Sequence, residues 1–157
     1  MDKQRDLKLK EKYPAILARL GGSQYETCMS WGHGGLAIGD GWMPLLENLM
    51  DYLQFQHDRN GYPQCVFEQV KEKFGSLRIY VDWKPCTSDT AEYGIKFNRT
   101  AENLQCVIDF ASSQSARTCE ECGQPGKIRG NHWVQCRCDD CIKPVEKLEP
   151  GIPDPRD

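Results

Sequence analysis

Cys119-Glu-Glu-Cys122 and Cys138-Asp-Asp-Cys141 are two Cys-x-x-Cys pairs in the last third of the chain. Each pair makes a short knuckle that aims two sulfurs at one point. Two knuckles brought together by a hairpin supply the four thiolates that a tetrahedral zinc ion takes. The expectation is one structural Zn2+ held by Cys119, Cys122, Cys138 and Cys141. A four-thiolate site is coordinatively closed and leaves no position for water or substrate, so the metal implies a building role and not a reaction. Cys136 is the alternative to Cys138 as ligand, but Cys138-x-x-Cys141 repeats the spacing of the first knuckle.

Three other constellations could carry chemistry. Cys28, His33 and Asp40 could act as thiol, base and orienter, because a thiolate becomes reactive beside an imidazole. The same residue types in a glycine-rich loop also serve as packing, capping and turn residues, and that plainer reading is preferred. Gly34 and Gly39 have the outer interval of a P-loop, but Asp40-Gly41 follows where phosphate binding needs Lys and then Ser or Thr. No nucleotide cofactor is expected. Lys127, Arg129, Arg137 and Trp133, with Arg117 and His132 near them, could hold phosphates and stack a base. Glu120, Glu121, Asp139 and Asp140 nearly cancel that charge, so nucleic-acid binding through the ribbon is the alternative reading.

These residues need elements to position them. Leu7, Leu9, Tyr13, Ile16, Leu17 and Leu20 fit two short amphipathic turns ending at Gly21-Gly22. The segment 21–41 is a glycine-rich loop that its aromatics, Trp31 and Trp42, should pin to the core. Leu45, Leu46, Leu49, Met50 and Leu53 place an apolar stripe on a helix over 44–55 that opens at Pro44. Alternation over Cys65–Lys73 and Ser76–Asp82, around Phe74-Gly75, predicts an antiparallel hairpin over 65–82, with Lys71 and Arg78 facing away from the helix. In that alternation Val66, Glu68 and Val70 share one side, and Phe67, Gln69 and Lys71 the other. Asn98 or Thr100 could cap a helix over 99–116 whose stripe is Ala101, Leu104, Val107, Ile108 and Ala111. Gly123-Gln124-Pro125-Gly126 makes the knuckle turn, and Lys127–Arg129 and His132–Gln135 read as strands around Gly130-Asn131. Pro144, Pro150, Pro153 and Pro155 make 144–157 an extended tail.

The organisation expected is therefore an α+β body over 1–117, an antiparallel hairpin on two or three helices, followed by a zinc ribbon over 118–143 docked on the last helix. At 157 residues and a formal charge of -3, the chain has the size of one domain and no electrostatic mark of a nucleic-acid carrier. No apolar run reaches membrane-spanning length, and the charged opening lacks a signal-peptide core. Nine cysteines without a secretion signal fit a reducing cytoplasm. Cys65 and Cys106 read as small buried hydrophobes.

Three stretches carry a resemblance: Gly39-Asp40-Gly41-Trp42, the hairpin from Gln69 to Val81, and Arg117 to Gly130 with the first knuckle. Together they resemble a family of small uncharacterised proteins encoded by bacteriophages and prophages, over roughly 39–141. The family pattern has Cys-x-x-His in the second metal pair, where this chain has Cys138-x-x-Cys141. The resemblance implies the cytoplasm of a bacterial host cell and an accessory protein, not an enzyme, that binds a host protein of defence or nucleic-acid machinery. No catalytic residues come with it. Trp31, Trp42, Trp133 and Arg129 are the candidate contact residues, because Trp and Arg dominate binding hot spots.

Overall fold

Pro44 lies in the first turn of α2 (Met43–Asn60), where its missing N–H costs nothing. Met43, Leu46, Leu49, Met50 and Leu53 form its buried stripe. The helix runs past 55 because Gln54 donates to Asp58 and Asn60 to Gln56, pairs one turn apart on its outer side. It stops at Gly61, which takes the left-handed conformation at φ 63° and donates its N–H to Gln56 O. The computed structural model describes residues 3–19, 36–84, 91–130 and 133–142, the side chains of 3 and 91–98 excepted. Cys28, Trp31, His33, Cys86, Asn131, His132 and the proline-rich tail lie outside the described residues.

The hairpin pairs β1 (Gln64–Lys73) with β2 (Ser76–Lys84) in antiparallel register. Its two-residue turn has Phe74 at φ 54° and Gly75 at φ 73°, the primed geometry that matches strand twist. The simple alternation read from β1 is corrected here. A bulge between Phe67 and Gln69 adds one residue, so Cys65, Phe67 and Val70 all reach the core. Leu77 and Ile79 of β2 are buried on the same side, while Arg78 and Tyr80 are exposed.

Beyond the hairpin, α3 (Ala91–Ser115) begins well before 99, which puts Asn98 and Thr100 inside the helix and not at its cap. Thr100, Ala101, Leu104, Ile108, Ala111 and Ser115 are buried along it. Cys106 falls off this stripe and is exposed, unlike the buried Cys65, because a helix turns about 100° per residue. Burial pushes the Cys65 thiol far up. Ahead of all this, α1 (Lys3–Lys12) is followed by turns through Leu17, with main-chain bonds from Tyr13 N to Leu9 O and Leu17 N to Tyr13 O. Leu9, Tyr13, Ile16 and Leu17 join the one core, with Trp42, Leu46, Met50, Phe67, Leu77 and Ile108 at its centre. Leu7 stays exposed. Among the described residues no helix is long and apolar enough to cross a membrane.

The two strands end differently at their outer edges. On β1, Phe67 N donates to Ile16 O, and residue 37 bridges in parallel, its N–H on Val70 O and its O on Glu72 N. On β2, Leu77 N donates to the Ser115 hydroxyl at 2.7 Å, inside the core. Ser115→Ala should leave that buried N–H without a partner and cost about 1–3 kcal/mol in denaturant unfolding. The exposed Ser113→Ala should leave the midpoint unchanged.

Candidate metal centre

The first knuckle is closed by the backbone. Gly123 N donates to Cys119 O at 2.8 Å and Cys119 N to Gln124 O at 2.7 Å, and Gly123 takes φ 76° to make the turn. Gly126 N reaches back to Arg117 O, and Thr118 bridges Pro125. The second knuckle follows β4 (Gln135–Arg137), which pairs with β3 (Lys127–Arg129) through Lys127↔Arg137, Ile128↔Cys136 and Arg129↔Gln135. The strand expected over 132–135 is thereby moved toward the C-terminus. Gly130, at φ 96°, approaches Trp133 O so closely that a Cβ would lie 2.3 Å from it, and pairing resumes at Gln135.

The result is that the Sγ atoms of Cys119, Cys122, Cys138 and Cys141 all lie within 4.8 Å of one another. Cys122 and Cys138 stand 3.6 Å apart, close to the roughly 3.8 Å sulfur separation of a tetrahedral ion with bonds of about 2.3 Å. The donor chemistry also fits a cation. Burial pushes the Cys119 thiol up, but main-chain N–H groups of Cys138, Cys122 and Glu121 overcome this and bring it down to about 6. The Cys141 thiol is pushed far up by the sulfurs of Cys122 and Cys138, and Cys122 is also raised. Four thiolates at this spacing repel one another unless a positive ion sits among them.

Cys136 is not part of the cluster. It is fully buried and belongs to the hydrophobic core, on the side of β4 that faces Gly126. That position follows from the period of a strand: Cys136 and Cys138 flank Arg137, but the chain leaves β4 at Arg137 and turns Cys138 into the knuckle.

A short 3-10 turn, Asp40–Trp42, docks the body onto the first knuckle. Gly41 N donates to Glu120 O at 2.8 Å, Gly39 N to a Glu120 carboxylate oxygen at 3.1 Å, and the Trp42 indole to Thr118 O at 2.7 Å. A Cβ on Gly41 would lie 2.2 Å from Cys119 O and 2.4 Å from Gly123 N, and one on Gly39 would lie 2.4 Å from Glu120 O. Both glycines are there because two backbones touch. Glu120 is buried, which raises its carboxyl pKa. On the other flank, Gly75 of the hairpin turn packs against Gln135, Cys136 and Ile128.

Other candidate residues fare differently. Trp42 is completely buried, as expected of a residue that pins its loop to the core and unlike a contact residue, and serves as a strut between core and knuckle. Arg129 donates to Asp139 and to Arg137 O, and Arg137 donates to Glu121 at 2.7 Å, so both cations are held by ribbon groups. Lys127 and Trp133 are exposed, Trp133 by 70%. Asp40 pairs with Arg5 of α1. Gly39, Gly41, Gly75 and Glu120 were missed as site-building residues. The Gly-x-Gly-Trp pattern before the first apolar helix was the available signal.

Comparison of the chain with protein-family models, curated proteins and solved structures finds no match. Gly41→Ala should shift backbone against backbone and destabilise by about 1–3 kcal/mol or more. Gly61→Ala, where a Cβ meets nothing within 4 Å, should cost only the left-handed backbone penalty of about 1 kcal/mol. Chemical denaturation of both variants checks the difference.

Proposed function

We propose that this protein is a zinc-stabilised binding protein, not an enzyme, whose C-terminal knuckles form a zinc ribbon. In this reading it is a phage- or prophage-type accessory protein that engages a host protein of defence or nucleic-acid machinery. The observation that carries it is the four-sulfur cluster, with all Sγ atoms within 4.8 Å and packed against the body through Gly39, Gly41 and Trp42. A thiolate-only set is complete without substrate or water, so zinc here supplies rigidity. Cys119, Cys122, Cys138 and Cys141 would hold the ion, and main-chain amides around Cys119 would stabilise its thiolate.

A rigid ribbon displays Trp133, which stands exposed at the loop between β3 and β4. A large exposed aromatic suits the anchoring of a partner. Direct nucleic-acid binding by the ribbon is the second reading. It is favoured less, because Arg129 and Arg137 face carboxylates and Lys127 alone remains of that trio.

Metal analysis of the purified protein should find one zinc per chain. Cys136→Ser should retain it and Cys119→Ser should lose it. A chelator should unfold the ribbon and lower the melting temperature, since structural zinc contributes roughly 10 kcal/mol or more of folding free energy in small fingers. For the partner, metal-loaded protein is used as bait in a bacterial lysate with and without nuclease, and retained material is identified by mass spectrometry. A specific host protein that survives nuclease is the expected outcome. Retention abolished by nuclease, or no retention, would overturn the host-protein reading.

A further inference from the structure

Among the described residues, the hairpin has one closed edge and one open edge. In its register, residues 76, 78 and 80 of β2 face β1, so the N–H and C=O groups of residues 77, 79 and 81 point the other way. The Leu77 N–H finds Ser115. Ile79 and Val81 have no main-chain hydrogen bond on that side among the described residues, whereas the matching edge of β1 is held by Ile16 and residue 37.

A groove runs between this open edge and the last turns of α3. Its volume is about 520 Å³, within the roughly 300–1,000 Å³ range of binding clefts. Ile79 and Ser76 form the strand wall, and Ser112, Ser113 and Ala116 the helix wall. An extra strand beside β2 would lie about 4.8 Å from it, and the helix wall it would face is made of small side chains.

The outer face of the hairpin adds charge. Lys71, Lys73 and Arg78 lie there without an ion pair among the described residues, in a chain of net charge -3. The ammonium of Lys71 sits 5.2 Å from the Tyr80 ring and that of Lys73 5.3 Å from the Phe74 ring. The one acid in the groove, Asp109, is on the helix wall and accepts from Gln105.

We propose that the open edge of β2 binds an extended acidic peptide segment of a partner protein by strand addition, in the groove against α3. This rests on the protein-binding reading and names its surface. Ile79 and Val81 would exchange main-chain hydrogen bonds with the incoming strand. Alternate side chains of that strand fall on opposite faces. Those facing inward meet Ile79, Ala116 and Asp109 and must be small or apolar. Those facing outward stand beside Arg78 and Tyr80, with Lys71 one strand further on β1, and are acidic. A nucleic-acid strand would use the cations and rings but has no repeat of N–H and C=O groups to match the edge.

The test titrates the 15N-labelled full chain, metal-loaded as purified, with a capped Glu-Val-Glu-Val-Glu-Val peptide. The Ile79 and Val81 amide signals should shift. Replacing Glu by Lys, or N-methylating alternate peptide nitrogens, should weaken binding by about tenfold or more, and Arg78→Glu should reverse the Glu-over-Lys preference. Unmoved Ile79 and Val81 amides at millimolar peptide overturn the proposal. So does an N-methylated peptide that binds equally well, which reduces the surface to charge alone. Tighter binding of a single-stranded oligothymidylate to the same residues would reassign it to nucleic acid. The lysate experiment separates the two readings: a host protein retained equally by the wild type and Arg78→Glu rejects this edge and leaves the protein-binding reading standing.

Discussion

The contact between the backbone of residues 39–42 and the first cysteine knuckle is the constraint on which the rest depends. Two main chains meet with no side chain between them, and Gly41 fits where any Cβ would lie 2.2 Å from Cys119 O. Around this point Gly41 N and the Trp42 indole satisfy Glu120 O and Thr118 O, and Gly39 N meets one oxygen of the Glu120 carboxylate, whose other oxygen is buried without a hydrogen-bond partner among the described residues. The buried carbonyls of the knuckle therefore have partners from the body and need no water. A ribbon with two three-residue strands cannot bury enough apolar surface to hold itself. The body supplies one wall, the sulfur cluster the other.

This arrangement joins the metal centre to the fold at three places. Trp42 leads directly into α2, so the strut and the main core helix are continuous. The hairpin turn at Gly75 rests on β4. Ser115, the last residue of α3, both caps Leu77 of β2 and precedes the knuckle by three residues, with Thr118 N donating to Ser115 O. Disturbing the sulfurs thus reaches the hairpin and both long helices through short, buried contacts.

The sheet shows how a two-stranded hairpin survives inside a small domain. A lone hairpin is marginal in water. Here its apolar side covers α2 and α3, and one edge is covered by residues 16 and 37. The bulge at Glu68 lets Phe67 and Val70 both reach the core despite the odd spacing, and Arg19 of the first segment bonds Glu68 at 2.5 Å, with Asp82 also in reach. Lys84, first, together with Arg19 holds the Asp82 carboxyl below its ordinary range.

Residue types and spacings alone determined the four candidate ligands, the apolar stripes of α2 and α3, and the hairpin with its Phe74-Gly75 turn. These are local signals: Cys-x-x-Cys spacing, a period near 3.6, and alternation around a tight turn. They failed where a distant contact decided. Trp42 is expected to pin its loop to the core and is buried there, but its bond to the carbonyl of Thr118, far along the chain, which makes it a strut, has no local signal. Cys136 was a possible ligand until the register of β3 and β4 turned its sulfur into the core. Cys106 was read as buried, but the phase of α3 against the core exposes it. The extent of α3 and the start of β4 also escaped local reading. Only the tertiary structure decided which glycines are turns and which are contact points, because a missing Cβ has meaning only when the atoms that would strike it are in place.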